Sequence, residues 1–316
     1  MSGLLESVPN LAEGRRPEVI ERLVEAVGRH QGARLLDVSS DFDHDRTVLT
    51  LAGEAEPLRR ALLDLYAVAL DAIDLSPAGR GPGPPGVHPR LGAVDVVPFV
   101  PLGTTPMRAA VEAAEALGRE VAARHGLPVF LYEEAARAPE RRDLAAIRRG
   151  GFERLAEKLA DPAWRPDFGP ARPHPTAGAT VIGARGFLIA FNAVLDSDDL
   201  EAARAIARAV RESGGGLPAV KALGVRLASR GRVQVSMNLT DFGRTSPHAA
   251  VEAVRREAAA RGVRVAACEL VGLMPEGAVE ASIREALALP GFGMADVLEA
   301  RLEEGKGRRN GGEGER

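Results

Sequence analysis

The feature that most constrains the fold is an order of strand and helix patterns that occurs twice along the chain. Short apolar runs typical of strands alternate with apolar residues at three- and four-residue spacing, typical of amphipathic helices. The first-half strands are expected at residues 4–8, 33–38, 47–52, 94–100 and 129–132, with helices at 17–27, 57–73 and 106–125. The second-half strands are expected at 179–181, 187–193, 221–227, 234–238 and 263–270, with helices at 198–213 and 247–261. This order predicts an α+β protein of two consecutive ferredoxin-like (βαββαβ) sandwiches, each with helices packed on a mainly antiparallel sheet.

A proline-rich connection separates the two halves. Residues 167–178 contain Pro170, Pro173 and Pro175, which fix φ and remove backbone donors, so an extended link is expected. The domain boundary is therefore placed at its end, giving an N-terminal subdomain of residues 1–178 and a C-terminal subdomain of residues 179–304. Residues 305–316 carry no apolar side chain and are expected to form a disordered tail.

Composition excludes several classes of function. The chain has 316 residues, of which 45% are hydrophobic, enough for a sizeable core in about two domains. The net charge of −3 gives no basic field for nucleic acid, and the single cysteine, Cys268, excludes an internal disulfide and a Cys-based zinc cluster. Without an 18-residue apolar run or a secretory-type start, no membrane association is expected, and the protein is predicted to be cytoplasmic.

Candidate chemistry concentrates in the loop that precedes the strand at residues 94–100. There, His88 follows a run of proline and glycine and lies in sequence between Gly86 and the charged residues Arg90 and Asp95. An imidazole held on a stiff loop beside a cation and an anion can transfer protons near neutral pH. Taken alone, the segment also fits a loop histidine that hydrogen-bonds only its own turn, and one local motif does not decide between the two.

An acidic turn, Asp41-Phe42-Asp43-His44-Asp45, resembles a metal-binding loop. Calcium is excluded because an EF-hand needs glycine where Arg46 stands and a bidentate glutamate where Ala52 stands. Three interpretations stay open: a solvated turn, a transition-metal site on His44, or a carboxylate that orients His88. The glycines at residues 79–83 do not form a phosphate cradle, because no helix follows them and prolines remove N–H donors.

Several motifs, in a fixed order, resemble those of the glutamate formimidoyltransferase family. In chain order they are Val8-Pro9-Asn10-Leu11-Ala12-Glu13-Gly14, His88-Pro89-Arg90-Leu91-Gly92-Ala93-Val94-Asp95, Asp167-Phe168-Gly169-Pro170, Gly178-Ala179-Thr180-Val181, Gly183-Ala184-Arg185, Leu188-Ile189-Ala190-Phe191-Asn192, Gln234-Val235-Ser236-Met237-Asn238 and Leu270-Val271-Gly272-Leu273-Met274-Pro275. Each motif alone is weak, but five or six in order with the spacing of the family are specific. The resemblance covers residues 4–275.

The resemblance implies a folate-dependent transferase of histidine degradation, in the stand-alone form without a cyclodeaminase domain. Such an enzyme moves the formimidoyl group from N-formimidoyl-L-glutamate to N5 of tetrahydrofolate, giving 5-formimidoyltetrahydrofolate and L-glutamate. Tetrahydrofolate is then the co-substrate, and no metal is expected. The family also implies a homodimer and an active site between two similar subdomains.

The resemblance also implies roles for individual residues. His88 is the expected proton-transfer residue, taking the N5 proton and returning one to the leaving glutamate nitrogen. The acidic residue that supports it in the family falls on Ser39 here, so that either Asp37, Asp41 or Asp43 takes over this role or the role of the partner is weaker. The expected substrate-binding residues, which include arginines suited to bidentate carboxylate contacts, are Asn10, Arg46, Arg90 and Arg185.

Residues 169–178 correspond to a folate-contacting stretch of the family. The expected cofactor-binding residues are Gly169, Pro170, Ala171, Arg172, Pro173, His174, Pro175, Thr176, Ala177 and Gly178. Because Arg172, Pro173 and His174 depart from the family pattern, backbone contacts to the pterin are expected. Two alternatives stay open: a related folate enzyme that uses N-formylglutamate or 5-formyltetrahydrofolate, and a non-catalytic folate-binding module.

Overall fold

The structure, a computed structural model, describes residues 3–79, 86 and 89–301. His88 and the expected tail at residues 305–316 lie outside the described residues. The chain divides into two compact units: unit 1 comprises Met1–Gly186 and Leu227–Arg230, and unit 2 comprises Phe187–Arg226 and Gly231–Arg316. In the part of the chain that is described, no helix is both long and apolar enough to cross a membrane.

The described residues form β-strands and α-helices in both units. The strands are β1 (Leu4–Ser7), β2 (Asn10–Leu11), β3 (Ala33–Asp41), β4 (Arg46–Glu54), β5 (Val94–Pro101), β6 (Val129–Glu133), β7 (Thr180–Ala184), β8 (Ile189–Leu195), β9 (Val220–Leu227), β10 (Arg232–Leu239) and β11 (Val265–Val271). The helices are α1 (Pro17–Gly28), α2 (Ala55–Ala72), α3 (Met107–His125), α4 (Leu144–Arg148), α5 (Leu155–Ala160), α6 (Leu200–Val210), α7 (Pro247–Ala259) and α8 (Glu276–Ala286).

Unit 1 is built on a seven-stranded sheet, sheet 1. Its order is β3-β4-β1-β5-β7-β6, and the short strand β2 also pairs with both β4 and β5. Strands β5, β7 and β6 run parallel to one another. Helices α1, α2 and α3 contribute Leu23, Leu62 and Leu117 to a core that includes Leu49 and Val97 of the sheet. Their apolar residues recur at helical spacing, so each helix buries one face.

The opposite face of sheet 1 is partly covered by the segment between β6 and β7. A second cluster there joins Val96, Phe130 and Val181 of the strands to Ile147 of α4 and Leu155 of α5. Adjacent strand residues point to opposite faces, so Val181 lies in this cluster while its neighbour Ile182 lies in the core on the helix side.

Unit 2 has a four-stranded sheet, sheet 2, in the order β11-β8-β10-β9. Strand β8 pairs antiparallel with both β10 and β11. Helices α6 and α7 pack on it through Ile206 and Val254. Each helix begins at a side-chain cap: Asp199 accepts from two backbone N–H groups of α6, and Ser246 accepts from the N–H of Ala249 in α7.

The structure confirms an α+β protein with two sheets, and corresponding strands have the same order in both. Sheet 1 contains β3-β4-β1-β5 where sheet 2 contains β9-β10-β8-β11. One strand differs from the prediction: the run expected to open the second half is β7, which lies between β5 and β6 in sheet 1. The compact units accordingly divide after Gly186, beyond the expected boundary at Gly178. Helix α8 was not predicted.

Candidate active site

One end of sheet 1 brings together candidate residues that are far apart in sequence. Strands β4 and β5 both run antiparallel to β1, so Arg46 at the start of β4 and Asp95 near the start of β5 lie at the same end. Gly178, which precedes β7, forms a bridge with Gly92, which precedes β5. The acidic turn joins β3 to β4 at this end as well.

Asp95 is the buried centre of this end of the sheet. Asn10 lies opposite Val96 and Leu11 opposite Val94, so Asp95 is the extra residue of a β-bulge, a device that re-aims a side chain. Its Oδ1 accepts a hydrogen bond from the backbone N–H of Leu91 at 2.8 Å. Its Oδ2 accepts from Arg46 at 3.2 Å and from Arg148 at 2.5 Å, and the Asp95 residue is 1% exposed.

A second ion pair lies beside Asp95. Arg90 donates from Nη1 to Oδ2 of Asp45 over 3.3 Å, and the other oxygen of Asp45 accepts from the backbone N–H of Gly14 at 3.3 Å. Arg15 Nε lies 3.7 Å from the same oxygen. We call Arg46, Arg90, Arg148, Asp45 and Asp95 the Asp95 cluster.

The Asp95 cluster holds three guanidinium groups and two carboxylates. Burial, together with the positive charges of Arg148 and Arg90, lowers the pKa of Arg46 to about 10 against the opposing effect of Asp95. Positive charge therefore exceeds negative charge within the cluster. A buried cationic surplus of this kind favours an anionic ligand.

Two of the three candidate carboxylates are engaged with the turn Leu227–Arg230 of unit 1. Asp43 accepts from the backbone N–H of Ser229 at 2.9 Å and from its Oγ at 2.5 Å. Asp41 accepts from Arg230 at 3.1 Å and from the backbone N–H of His44 at 2.8 Å. These contacts brace the acidic turn.

The third candidate, Asp37, lies on β3 and accepts a hydrogen bond from Ser39 Oγ at 2.9 Å. Ser39, which stands where the resemblance leads one to expect an acid, therefore hydrogen-bonds an aspartate two residues earlier in the chain. The pair lies on a strand that is also an edge of sheet 1, since β3 pairs with β4 in the described part of the sheet.

The residues that flank His88 contact the acidic turn, although Val87 and His88 lie outside the described residues. A β-carbon on Gly86 would lie 2.3 Å from the carbonyl oxygen of His44 and 3.0 Å from Cβ of Asp45, so this position requires glycine. On the other side, Arg90 pairs with Asp45. Asp45 itself has φ of +48°, a left-handed conformation that aspartate adopts more readily than most residues.

The backbone of Arg185 lies apart from the Asp95 cluster, whereas Asn10 lies opposite Val96, next to Asp95 in the sheet. The backbone N–H of Arg185 donates to Phe99, four residues beyond Asp95 on β5, a separation of ~13 Å along a strand. Its guanidinium hydrogen-bonds Tyr132 and the carbonyl of Gly186. Asn10 on β2 donates to the carbonyl of Val8 at 3.0 Å. Of the three arginines expected to bind substrate, Arg46 and Arg90 lie in the Asp95 cluster, while Arg185 makes no hydrogen bond or ion pair with the cluster among the described contacts.

Residues 169–178 form a closed turn that docks on the start of β5. His174 and Gly178 exchange backbone hydrogen bonds of 2.8 and 3.0 Å, and His174 Nδ1 accepts from the N–H of Ala177 at 3.1 Å. The carbonyl of Ala177 accepts from Ala93 at 3.1 Å. Burial lowers the pKa of His174, which favours the neutral ring that accepts this bond. The His174 side chain thus closes the turn.

Comparison with known proteins gives matches over most of the chain. The formiminotransferase domain, N-terminal subdomain, matches residues 4–185, and the formiminotransferase domain matches residues 190–284. The chain belongs to the formiminotransferase family. It is 40% identical over 279 residues to the glutamate formimidoyltransferase of Streptococcus pyogenes serotype M1, which covers 88% of this chain and 91% of that relative.

Two further relatives differ in length. The glutamate formimidoyltransferase of Thermoplasma acidophilum is 42% identical over 302 residues, covering 95% of this chain and 97% of the relative. The formimidoyltransferase-cyclodeaminase of Sus scrofa is 43% identical over 281 residues, covering 87% of this chain and 51% of the relative. The chain therefore spans about half the length of that fusion.

Sequence reasoning missed two residues of the Asp95 cluster. Arg148 ends α4, in a charged segment that is expected to be helical in pieces, and no motif marks it as a site residue. Asp45 belongs to the acidic turn, and its position directly before Arg46 was the feature of the sequence that could have indicated its place in the cluster. In the described residues, no group of three or more His, Cys, Asp and Glu side chains is arranged to hold a metal ion.

Proposed function

We propose that this protein transfers the formimidoyl group from N-formimidoyl-L-glutamate to N5 of tetrahydrofolate, giving 5-formimidoyltetrahydrofolate and L-glutamate. The observation that carries the proposal is the match of two formiminotransferase models across residues 4–284. Two relatives named glutamate formimidoyltransferase, which this chain covers over 91% and 97% of their lengths, support it. The cationic surplus of the Asp95 cluster fits a donor with two carboxylates.

The reaction needs one new bond, one broken bond and two proton transfers. N5 of tetrahydrofolate attacks the formimidoyl carbon and loses its proton, and the resulting adduct breaks its bond to the glutamate nitrogen as that nitrogen gains a proton. A single group of near-neutral pKa serves both transfers, and His88 is assigned this role. Arg46 and Arg90 bind donor carboxylates, which supplies orientation.

We propose the finer features of the family for this chain as well. Residues 169–178 contact the folate, with the closed turn around His174 fixing its backbone for binding. Both units are versions of the ferredoxin-like sandwich, a proposal supported by the strand order that the two sheets share. The protein acts as a homodimer in the cytoplasm, in histidine degradation.

The test is a spectroscopic assay of the purified protein with tetrahydrofolate and either N-formimidoylglutamate or N-formylglutamate as donor, and with 5-formyltetrahydrofolate as donor and L-glutamate as acceptor. N-formimidoylglutamate is expected to give product, which is converted to 5,10-methenyltetrahydrofolate and read by its absorbance. Turnover of N-formylglutamate or 5-formyltetrahydrofolate alone would favour the related folate enzymes. Folate binding without turnover of any donor would favour the non-catalytic module.

The role of His88 is tested by His88→Ala. General acid–base catalysis contributes about 10²–10⁴-fold, so kcat is expected to fall by that factor while folate binding is largely retained. His30→Ala is the matched control, because His30 pairs with Asp64 at the surface of unit 1. A variant that keeps more than about a tenth of the wild-type rate would remove His88 from the proton transfers.

A further inference from the structure

The guanidinium of Arg148 has hydrogen-bonding capacity that its described contacts do not use. It donates from Nη2 to Asp95 Oδ2 over 2.5 Å. Its Nε is buried and has no hydrogen-bond partner among the described residues. An arginine carries five N–H donors in a fixed planar arrangement, and a buried donor without a partner is costly.

Asp95 holds Arg148 beside Arg46. Oδ2 of Asp95 accepts from both guanidinium groups, and Oδ1 is occupied by the backbone N–H of Leu91. One carboxylate therefore fixes two arginines from different parts of unit 1, one on β4 and one on α4. Their side chains are 17% and 15% exposed, so part of each stays within reach of a ligand.

The charges around the pair leave the site cationic. Arg90 lies close enough to influence Arg46 electrostatically, and Arg90 is paired with Asp45. Asp45 is in turn shared with Arg15. Two carboxylates thus face three arginines within the Asp95 cluster, and burying such a surplus without an anion is unfavourable.

We propose that Arg148 is a substrate-binding residue that, together with Arg46, binds a glutamyl carboxylate. Planar guanidinium groups match a carboxylate in charge and shape, which makes arginine the residue suited to this contact. Two substrates of the proposed reaction carry such a group: the N-formimidoylglutamate donor and the glutamate tail of tetrahydrofolate. Asp95 acts as the positioning residue that sets the spacing of the two arginines. The inference rests on the proposed function.

The test compares Arg148→Gln with wild type in steady-state kinetics. Loss of a charge-assisted contact costs about 1.5–3 kcal/mol, so KM for the substrate that is bound here is expected to rise about 10- to 100-fold. The value of kcat changes far less, because the contact is made in the ground state as well as in the transition state. Arg149→Gln is the matched control, because Arg149 is an exposed arginine directly after α4.

Amide analogues identify the carboxylate. N-formimidoyl-L-glutamine and N-formimidoyl-L-isoglutamine each lack one carboxylate of the donor. The rise in KM caused by Arg148→Gln is expected to disappear with the analogue that lacks the carboxylate bound by Arg148. Tetrahydropteroate, which lacks the glutamate tail, is the corresponding probe for folate. If the rise in KM caused by Arg148→Gln disappears only with tetrahydropteroate, the site binds the glutamate tail of folate.

Folding and function are separated by further measurements. Arg148→Lys keeps a positive charge beside Asp95, and the thermal unfolding of this variant is compared with that of Arg148→Gln. Equal losses of kcat/KM with every donor and folate, in parallel with a lower melting temperature, would show a structural role and overturn the proposal. Unchanged KM values in a folded Arg148→Gln variant would overturn it too. Wild-type protein that turns over no formimidoyl donor would instead overturn the proposed function.

Discussion

Arg148 of α4 donates a hydrogen bond to Asp95 of β5 over 2.5 Å, although 53 residues separate them in sequence. The contact ties the segment between β6 and β7 to the end of sheet 1 that holds the Asp95 cluster. Asp95 is buried and Arg148 nearly so, and removing either charge would therefore leave the other largely buried without this partner. The same contact thus links the packing of unit 1 to its chemistry.

Replacing Asp95 by Asn is expected to lower the free energy of unfolding by about 2–4 kcal/mol, because it leaves two largely buried arginines without their carboxylate. Urea denaturation measures this change. Asp71→Asn is the control, since Asp71 pairs with Arg22 over 2.7 Å at the surface and exposed pairs contribute at most about 1 kcal/mol. An Asp95→Asn variant as stable as the control would mean that the cluster tolerates its cationic surplus without this pair.

The neutral ring of His174 predicts how stability depends on pH. Burial lowers the pKa of His174 in the folded state, and burial also lowers that of His125, with Arg124 and His174 acting in the same direction. Below the ordinary histidine pKa the unfolded chain binds more protons than the folded chain, so the free energy of unfolding falls as the pH falls through about 6.5.

Urea denaturation at pH 7 and pH 5 tests this dependence. In His174→Asn the loss of stability between the two pH values is expected to be smaller, since the amide oxygen of asparagine can still accept from Ala177 and does not titrate in this range. His248→Asn on α7 of unit 2 is the control. A pH dependence in His174→Asn equal to that of wild type would exclude His174 as a source.

Most helices and strands were predictable because their apolar spacing is local. The helix at residues 17–27 and the strand at 94–100, for example, lie within a residue or so of α1 and β5. The sheet to which a strand belongs was not predictable for β7. A short apolar run carries no information about its partner, and β7 joins β5 and β6 through contacts made across the fold.

The sequence predicts those residues of the candidate site that lie in a motif, but not those that only the folded chain brings to it. Arg46 and Arg90 were named from sequence and lie in one cluster. Arg148 comes from a charged segment without a recognisable motif, and only the packing of that segment on the face of sheet 1 opposite helices α1, α2 and α3 brings it to Asp95. Arg185 was grouped with the other arginines because it lies in a family motif, yet β7 carries it toward the other end of β5.

Lys158 is expected to titrate far below an ordinary lysine. Burial lowers its pKa to about 8, with the charge of Arg149 as a second cause. Its ammonium donates to the carbonyl of Ala146 at 2.8 Å and lies 4.2 Å from the Trp164 ring centroid. The chain has three lysines, Lys158, Lys221 and Lys306, so each can be followed separately by NMR after reductive methylation with ¹³C-formaldehyde.

One of the three lysine methyl signals is expected to titrate near the value for Lys158 and to disappear in Lys158→Arg, whereas the signal of the methylated N-terminal amine, which titrates in the same range, remains. In Arg149→Gln the same signal is expected to titrate at higher pH, because a neighbouring positive charge has been removed. If all three lysine signals show ordinary lysine titrations, the ammonium group of Lys158 is open to water.

The carboxylate that supports His88 can be identified from the pH dependence of the rate. An adjacent anion stabilises imidazolium, so removing it lowers the apparent pKa at which His88 loses its proton and reduces the rate. The sequence offers Asp37, Asp41 and Asp43, and the structure adds Asp45. We expect Asp45→Asn to give the largest shift, because Gly86 and Arg90 on either side of His88 both contact the turn at His44 and Asp45.

The other variants separate this role from structural ones. Asp41 and Asp43 hold the turn Leu227–Arg230, so their Asn variants are expected to lower stability while the rate profile keeps its apparent pKa. Asparagine adopts the left-handed φ of Asp45 readily, so Asp45→Asn removes the charge and keeps the backbone. A shift in Asp37→Asn instead would assign the role to the aspartate held by Ser39. Wild-type profiles in all four variants would mean that His88 works without an anionic partner from β3 or the turn that follows it.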